Sequence, residues 1–107
     1  MIYLASPYSH TDKRIEQWRY QAVLNYTIRQ QRLGVLLFSP IVYGHPFAQA
    51  GLPSDFTYWR TLNERLILGC SCLHYYMLPG WEDSIGVKAE IEFAESYGLE
   101  VEAIEYD

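Results

Sequence analysis

Basic residues are scarce in this chain of 107 residues, which holds 8 Lys and Arg against 13 Asp and Glu and carries a formal net charge of −5. The sequence has no basic stripe to meet a phosphate backbone, so it argues against binding to a nucleic-acid polymer. A small anionic ligand is still compatible with this charge, because the N-terminus of a helix binds a phosphate through free backbone N–H groups.

Cysteine is also rare, with only Cys70 and Cys72, which are too close together for an ordinary disulfide. A metal site would need more ligands than these two thiols and His74, since the three residues alternate faces on a predicted strand. We therefore expect small, buried cysteines in a reducing compartment. We expect neither a metal nor an organic cofactor.

Long apolar segments are missing, and Met1 leads directly into a short apolar strand without a charged leader. We therefore expect no signal peptide and no membrane span, and we predict a cytoplasmic protein. The composition is 50% hydrophobic and 16% aromatic, which argues against disorder. The length predicts a single domain over residues 1–107.

Short apolar runs alternate with segments of helical period along the chain. Strands are predicted at residues 2–5, 35–38, 70–78 and 99–104. Helices are predicted over about 11–33, 54–69 and 84–98. The inward face of the first helix is expected to carry Ile15, Trp18, Ala22 and Tyr26. Segment 41–53 is rich in Gly and Pro and is predicted to be a long structured loop.

Strands that alternate with helices predict a parallel sheet with helices on both faces. We expect a three-layer αβα sandwich of the flavodoxin- or Rossmann-like kind, with four strands in the order 2-1-3-4 and the last strand at an edge. Sheets of this class bind ligands outside the carboxyl ends of their strands, near the switch in strand order. The loops after the first three strands should therefore converge on one edge, together with the start of the last helix.

The last helix places a carboxylate beside its apolar face. Its predicted core-facing stripe consists of Val87, Ile91, Ala94 and Tyr97. Glu90 borders this stripe, and a carboxylate at the edge of a core is costly unless it has a use. Glu90 is therefore the first candidate for chemistry. The plainer alternative is that Glu90 reaches solvent or accepts a hydrogen bond from Tyr3 or Tyr8.

Polar and aromatic residues are predicted to surround Glu90 in a cleft at the strand ends. The candidates are Tyr3, Ser6, Pro7, Tyr8, Tyr43, His45, Trp81, Asp83, Ser84 and Gly86. Aromatic side chains suit a flat nucleobase, and a buried carboxylate can act as a nucleophile at the anomeric carbon of a sugar. Each residue also has a plainer explanation: Ser84 as an N-cap, Gly86 as a close contact between helix and sheet, His45 as a surface histidine.

Two segments carry motifs: residues 2–7, Ile-Tyr-Leu-Ala-Ser-Pro, and residues 80–87, Gly-Trp-Glu-Asp-Ser-Ile-Gly-Val, followed by Glu90 and Ala94. The first resembles the opening Y-L-A-G-P strand and loop of the nucleoside 2-deoxyribosyltransferase superfamily. The second is similar to the S-x-G-x-x-x-E signature of the same superfamily, at the start of a helix. The resemblance covers most of the chain and is closest to the small DUF1937-like branch.

The resemblance implies roles for individual residues. Glu90 would form the covalent deoxyribosyl intermediate, and Tyr3 would lie near its carboxylate. Ser84 would bind the sugar or its 5′-phosphate, with Gly86 allowing close approach. Asn63 occupies the position of an aspartate that handles the proton of the nucleobase in related members. Because an amide cannot take this role, the acid would be Asp83 or Asp55, or would be missing.

The function implied by the resemblance is cleavage or transfer at the N-glycosidic bond of a (2′-deoxy)nucleoside or nucleotide, through a glutamyl-sugar intermediate. One alternative is a non-catalytic module that binds or senses a nucleotide. Another is a related glycohydrolase that acts on NAD. The expected partner is a small nucleoside or nucleotide, and family members imply a homodimer or higher homo-oligomer.

Overall fold

A computed structural model describes residues 1–106 of the chain; Asp107, the last residue of the predicted domain, lies outside the described residues. The strands are β1 (Ile2–Ala5), β2 (Leu37–Phe38), β3 (Cys72–Met77) and β4 (Glu100–Glu105). The helices are α1 (Lys13–Arg32), α2 (Pro40–Gln49), α3 (Phe56–Leu68) and α4 (Ile85–Ser96). A short 3-10 turn at Trp81–Asp83 connects β3 to α4.

The four strands form one parallel sheet in the order β2-β1-β3-β4, as the sequence predicts. β1 lies inside the sheet, where Tyr3 is in register with Phe38 of β2 and Leu73 of β3. β4 is the predicted edge strand and pairs only with β3 within the described part of the chain. The fold is the three-layer αβα sandwich that the alternation of elements predicts.

Successive residues of β1 serve opposite faces of the sheet, because side chains alternate along a strand. Tyr3 and Ala5 belong to a core that also contains Ile67 of α3 and Ala94 of α4. Leu4 belongs to a second core, which it shares with residues of α1 and α2. The side chain of Tyr3 therefore lies on the face of the sheet that α3 and α4 cover.

The prediction of a loop over residues 41–53 is wrong, because most of this segment is helix α2. Ser39 caps the helix by accepting a hydrogen bond from the backbone N–H of Val42 at 3.1 Å. The helix starts with a proline, which suits a first helical position, and it tolerates Pro46 in its interior. The glycines and prolines of this segment therefore predict a loop where the protein forms a helix.

The predicted inward face of α1 is only partly right: Ala22 and Tyr26 pack against the core around Leu4, but Ile15 and Trp18 do not face inward. Ile15 is 36% exposed and Trp18 is 43% exposed, whereas the buried positions are Glu16, Arg19, Val23 and Thr27. The buried stripe of the helix is shifted by about one residue from the predicted stripe, because two charged side chains bind the loop after β1. Glu16 accepts a hydrogen bond from the backbone N–H of His10, and Arg19 donates to two backbone carbonyls of the same loop.

Candidate active site

The carboxyl group of Glu90 is buried where β1, α3 and α4 meet, with 6% of the residue exposed. Its Oε2 atom accepts a hydrogen bond from the Tyr3 hydroxyl at 2.7 Å and another from Nδ2 of Asn63 at 3.2 Å. Its Oε1 atom has no hydrogen bond to the described residues and is not completely occluded. One oxygen of the carboxyl group is therefore held in place, while the other remains free.

Burial raises the pKa of Glu90 from its ordinary value of 4.5 to about 7. The hydrogen bonds from Tyr3 and Asn63 favour the charged form and oppose this shift, but burial outweighs them. Burial and the nearby Glu90 carboxyl raise the pKa of Tyr3 well above its usual range, so its hydroxyl keeps its proton and donates it. A strongly shifted carboxyl group with defined partners is typical of functional sites.

A cavity of about 470 Å³ lies against Glu90 at the carboxyl ends of the strands. Ser6 follows β1, Pro40 follows β2 and Gly80 follows β3, and all three line this cavity. The volume is in the range of pockets that hold small organic ligands. The cavity therefore lies at the edge of the sheet where the sequence predicts a ligand.

Most of the predicted site residues line the cavity: Ser6, Tyr8, His45, Asn63, Asp83, Ser84, Gly86 and Glu90. Four others are not among its lining residues. Tyr3 lies beneath Glu90, and Pro7 is fully buried. Tyr43 packs against other aromatic rings on the exposed side of α2, and Trp81 packs against Tyr75. Contact between any of these residues and a ligand stays a prediction.

His45 is a buried histidine and not the surface histidine of the plainer reading, because only 7% of it is exposed. Its Nδ1 atom is hydrogen-bonded to the Tyr8 hydroxyl at 2.7 Å, and Tyr20 stacks on the ring with centroids 3.8 Å apart. Burial lowers the pKa of His45 below its usual range, which favours the neutral ring. The two tyrosines therefore hold a neutral imidazole in a fixed orientation at the cavity wall.

Ser84 and Gly86 at the start of α4 both line the cavity, but only Ser84 has the plainer role that the sequence suggests. Ser84 is the N-cap, since its Oγ accepts a hydrogen bond from the backbone N–H of Val87 at 3.2 Å. Gly86 faces α3 and not the sheet: a Cβ atom there would lie 3.4 Å from the ring of Phe56. The absence of a side chain at residue 86 therefore leaves room next to α3.

Sequence reasoning missed several residues of the cavity wall, notably Arg19, Phe56 and Thr57. Arg19 was not selected because charged residues within an amphipathic helix usually mark its solvent face. A signal was nevertheless present, since Glu16, Arg19, Val23 and Thr27 also follow a helical period. The cavity also contains Asp55, whose carboxylate caps α3 by accepting from the N–H of Tyr58 at 3.2 Å.

Within residues 1–106, no group of three or more His, Cys, Asp and Glu could hold a metal ion. Cys70 and Cys72 are free thiols, and Cys70 is buried as expected. No helix of the described chain is long and apolar enough to cross a membrane.

A parallel sheet of order 2-1-3-4, with a cavity at its strand ends and a buried carboxyl group beside it, defines an α/β protein with a strand-end cavity. The chain belongs to the family described as Domain of unknown function (DUF1937), which it matches over residues 1–106. This match agrees with the DUF1937-like branch that the two sequence motifs indicate. No curated protein matches the chain.

Proposed function

We propose that the protein cleaves or transfers the N-glycosidic bond of a nucleoside or nucleotide, through a covalent intermediate between Glu90 and the sugar. The observation that carries the proposal is the carboxyl group of Glu90, with Oε2 held by Tyr3 and Asn63 and Oε1 free. The resemblance of the two motifs to the nucleoside 2-deoxyribosyltransferase superfamily supports a 2′-deoxy sugar.

In the first step, Oε1 of ionised Glu90 attacks C1′ of the sugar, and the bond between C1′ and the base nitrogen breaks. The base leaves with the electron pair of that bond and gains a proton. In the second step, water or a second base attacks C1′ and gives up a proton to the group that supplied one in the first step, and the carboxylate of Glu90 is released. Water makes the protein a hydrolase, and a second base makes it a transferase.

The proton for the leaving base needs a donor other than Asn63, whose amide is instead used to hold Glu90. Asp55 and Asp83 both line the cavity. The carboxylate of Asp55 already accepts a backbone hydrogen bond at the start of α3. Asp83 has no side-chain hydrogen bond to the described residues, which leaves it freer to contact a leaving base. We therefore favour Asp83 for this role.

The test is incubation of the purified protein with pooled deoxynucleosides, deoxynucleotides and NAD, with free bases measured by chromatography. We expect release of a base by the wild-type protein and a loss of about 10³-fold or more in kcat for Glu90→Gln, with binding partly kept. Glu92→Gln is the matched control, because Glu92 is an exposed residue of the same helix. Cleavage by Glu90→Gln at the wild-type rate would refute the mechanism.

A second candidate function is a nucleotide-binding or sensing module without catalysis. The observation that favours it is Asn63, which cannot transfer a proton as an aspartic acid does. Calorimetric binding of a nucleotide without any product over days would support this function, and turnover would eliminate it. Release of nicotinamide in the same substrate panel would instead indicate a glycohydrolase that acts on NAD.

We expect a cytoplasmic protein that needs no cofactor and assembles as a homodimer or higher homo-oligomer. Sedimentation as a monomer at micromolar concentration would contradict the predicted assembly.

A further inference from the structure

The side chain of Arg19 is a buried cation in the wall of the cavity, with 9% of the residue exposed. Its Nη1 atom donates to the backbone carbonyls of Tyr8 and Ser9, at 3.3 and 3.0 Å. Its Nε atom is occluded and has no acceptor. Its Nη2 atom makes no hydrogen bond to the described residues. Nη2 is not occluded, so the guanidinium group keeps an unused donor in the cavity wall.

A buried guanidinium usually has a carboxylate partner, because the desolvation of an unpaired charge is costly. Burial lowers the pKa of Arg19, and the nearby charge of Glu16, one turn earlier in α1, opposes this shift without cancelling it. The carboxylate of Glu16 makes its hydrogen bonds to the N–H of His10 and to Nζ of Lys13, and no ion pair of Arg19 exists among residues 1–106. A purely structural role for Arg19 would explain the two carbonyl contacts but not the unused donor at Nη2.

Gly80 keeps the guanidinium at the cavity. Its φ of +91° is in the left-handed region, and a Cβ atom at this residue would lie 2.7 Å from Nη2 of Arg19. Any side chain at residue 80 would therefore displace the guanidinium from the end of β3. Gly80 begins the turn that leads into α4. Gly80 and Arg19 both line the cavity.

The start of α4 adds positive potential to the same cavity. The first backbone N–H groups of a helix have no partner within the helix and carry a partial positive charge. Ile85 and Gly86, the first two residues of α4, both line the cavity. Arg19 is the one Lys or Arg residue among the residues that line the cavity. The acidic residues of the lining are Asp55, Asp83 and Glu90. An anionic ligand group would therefore be drawn to Arg19.

We propose that Arg19 and the N-terminus of α4 form a subsite for a phosphate group, so that the ligand of this cavity is a phosphorylated sugar compound and not the free nucleoside. The identity of the ligand as a nucleoside 5′-monophosphate rests on the proposed function. The phosphate subsite itself rests on the unpaired guanidinium. Phosphate oxygens accept hydrogen bonds from a guanidinium fork and from helix N-terminal N–H groups.

The first experiment compares each 2′-deoxynucleoside with its 5′-monophosphate by calorimetry, using Glu90→Gln to prevent turnover. We expect the monophosphate to bind about 10- to 100-fold more tightly than the nucleoside, because its phosphate gains charge-assisted hydrogen bonds. Adding Arg19→Gln should remove most of this difference, while adding Arg19→Lys should keep part of it. Arg32→Gln, at the exposed end of the same helix, is the matched control and should leave the difference unchanged.

The second experiment uses wild-type protein alone, because Arg19→Gln also loses the contacts to Tyr8 and Ser9 and could fail to fold. We expect 2-deoxyribose 5-phosphate and inorganic phosphate to raise the melting temperature, compared with 2-deoxyribose and with chloride at equal ionic strength. Equal affinity for nucleoside and monophosphate, or no effect of either phosphate probe, would overturn the subsite.

The two proposals fail in different ways. Phosphate binding that depends on Arg19, without release of any base, supports the subsite and argues against the proposed chemistry. Cleavage that depends on Glu90, with the same KM for a nucleoside and its monophosphate and no effect of Arg19→Lys, supports the chemistry and refutes the subsite.

Discussion

Tyr3 donates its hydroxyl hydrogen to Oε2 of Glu90 across 2.7 Å, although 87 positions separate the two residues in the chain. The contact joins the first strand of the sheet to the last helix. It depends on the alternation of β1, which turns Tyr3 and not Leu4 towards the face that α4 covers. The fold therefore sets the direction of the Glu90 carboxyl group, and a hydrogen bond from Tyr3 stabilises its charged form.

Tyr3→Phe should shift the pH dependence of the proposed reaction. Removal of the hydrogen bond takes away an interaction that favours the carboxylate, so the pKa of Glu90 should rise further above about 7. Since the nucleophile must be ionised, the lower limb of the kcat/KM profile should move to higher pH. The loss of rate should then be larger near pH 6 than near pH 9.

The measurement for this variant is a pH–rate profile, with Tyr97→Phe as the control because Tyr97 is exposed after the end of α4. A loss of the same factor at every pH would contradict an effect on the ionisation of Glu90. Such a result would give the Tyr3 hydroxyl a role in orienting Glu90 and not in its ionisation.

Asn63→Asp should decrease activity and not restore the aspartate that related members carry. The amide donates to Oε2 of Glu90 at 3.2 Å, so a carboxylate there would replace a donor with a like charge. Two adjacent carboxyl groups resist double ionisation, which raises the pKa of the pair. We expect a loss of about 10- to 100-fold in kcat/KM near pH 7, in line with the loss of a hydrogen bond to a charged group.

Asn63→Ala separates the two effects at this position, because it removes the donor without adding a charge. The Asp variant should be slower than the Ala variant near pH 7, and its rate should recover only at a higher pH, because the second carboxyl group raises the pKa of the pair further. Higher activity of Asn63→Asp than of wild type would contradict this prediction and would assign the missing acid role to residue 63.

The last helix and the order of the strands could be predicted from the sequence because local and long-range signals agree there. Ser84 caps α4 and Gly98 adopts the left-handed conformation just after it, as their residue types suggest. Val87 and Ala94 are buried, and Glu90 lies with them on the buried side. Only Tyr97 departs from the predicted stripe, because α4 ends before it.

Helix α2 could not be predicted because its stability comes from tertiary packing. Local rules disfavour Gly44 and Pro46 inside a helix. Ile41 and Val42 of α2 pack against the core around Leu4, and the rings of Tyr43 and Phe47 contact Trp59 of α3. This packing favours the helix more than the local sequence opposes it. His45 consequently enters the cavity wall from a helix and not from an open loop.

Arg19 was hidden from sequence analysis for a different reason. Hydrophobic patterning places a charged residue in solvent unless a partner is known, and its partners are backbone carbonyls of the loop after β1. Backbone groups of a loop leave no trace in side-chain periodicity. A helical period also runs through Arg19, so only the folded structure shows which of the two stripes of α1 is buried.

Glu90→Gln should stabilise the protein at high pH. A pKa of about 7 in the folded state, against an ordinary value of 4.5, means that the folded protein binds the proton more tightly than the unfolded chain does. The contribution of Glu90 to the free energy of unfolding is therefore most favourable at low pH and is lost as the pH rises from about 4.5 to 7. The variant should gain about 2 to 3 kcal/mol relative to wild type between pH 5 and pH 8.

Urea denaturation of both proteins at the two pH values measures this difference. Glu92→Gln should show no such change, because Glu92 is exposed on the same helix. A constant difference between wild type and Glu90→Gln would mean that the folded state does not raise the pKa of Glu90.

Gly86→Ala should separate stability from ligand binding. A Cβ atom at residue 86 would meet Phe56 at 3.4, 3.7 and 3.8 Å, which are tolerable contacts. Alanine also restricts the unfolded chain more than glycine, so the free energy of unfolding should rise by about 0.5 to 1 kcal/mol. The added methyl group enters the cavity wall next to Ser84, so KM for the cleaved substrate should increase. Gly98→Ala is the control: its φ of +75° makes alanine strained there, and it lies outside the cavity lining, so stability should fall while KM stays unchanged. An unchanged KM in Gly86→Ala would mean that the ligand does not approach the start of α4.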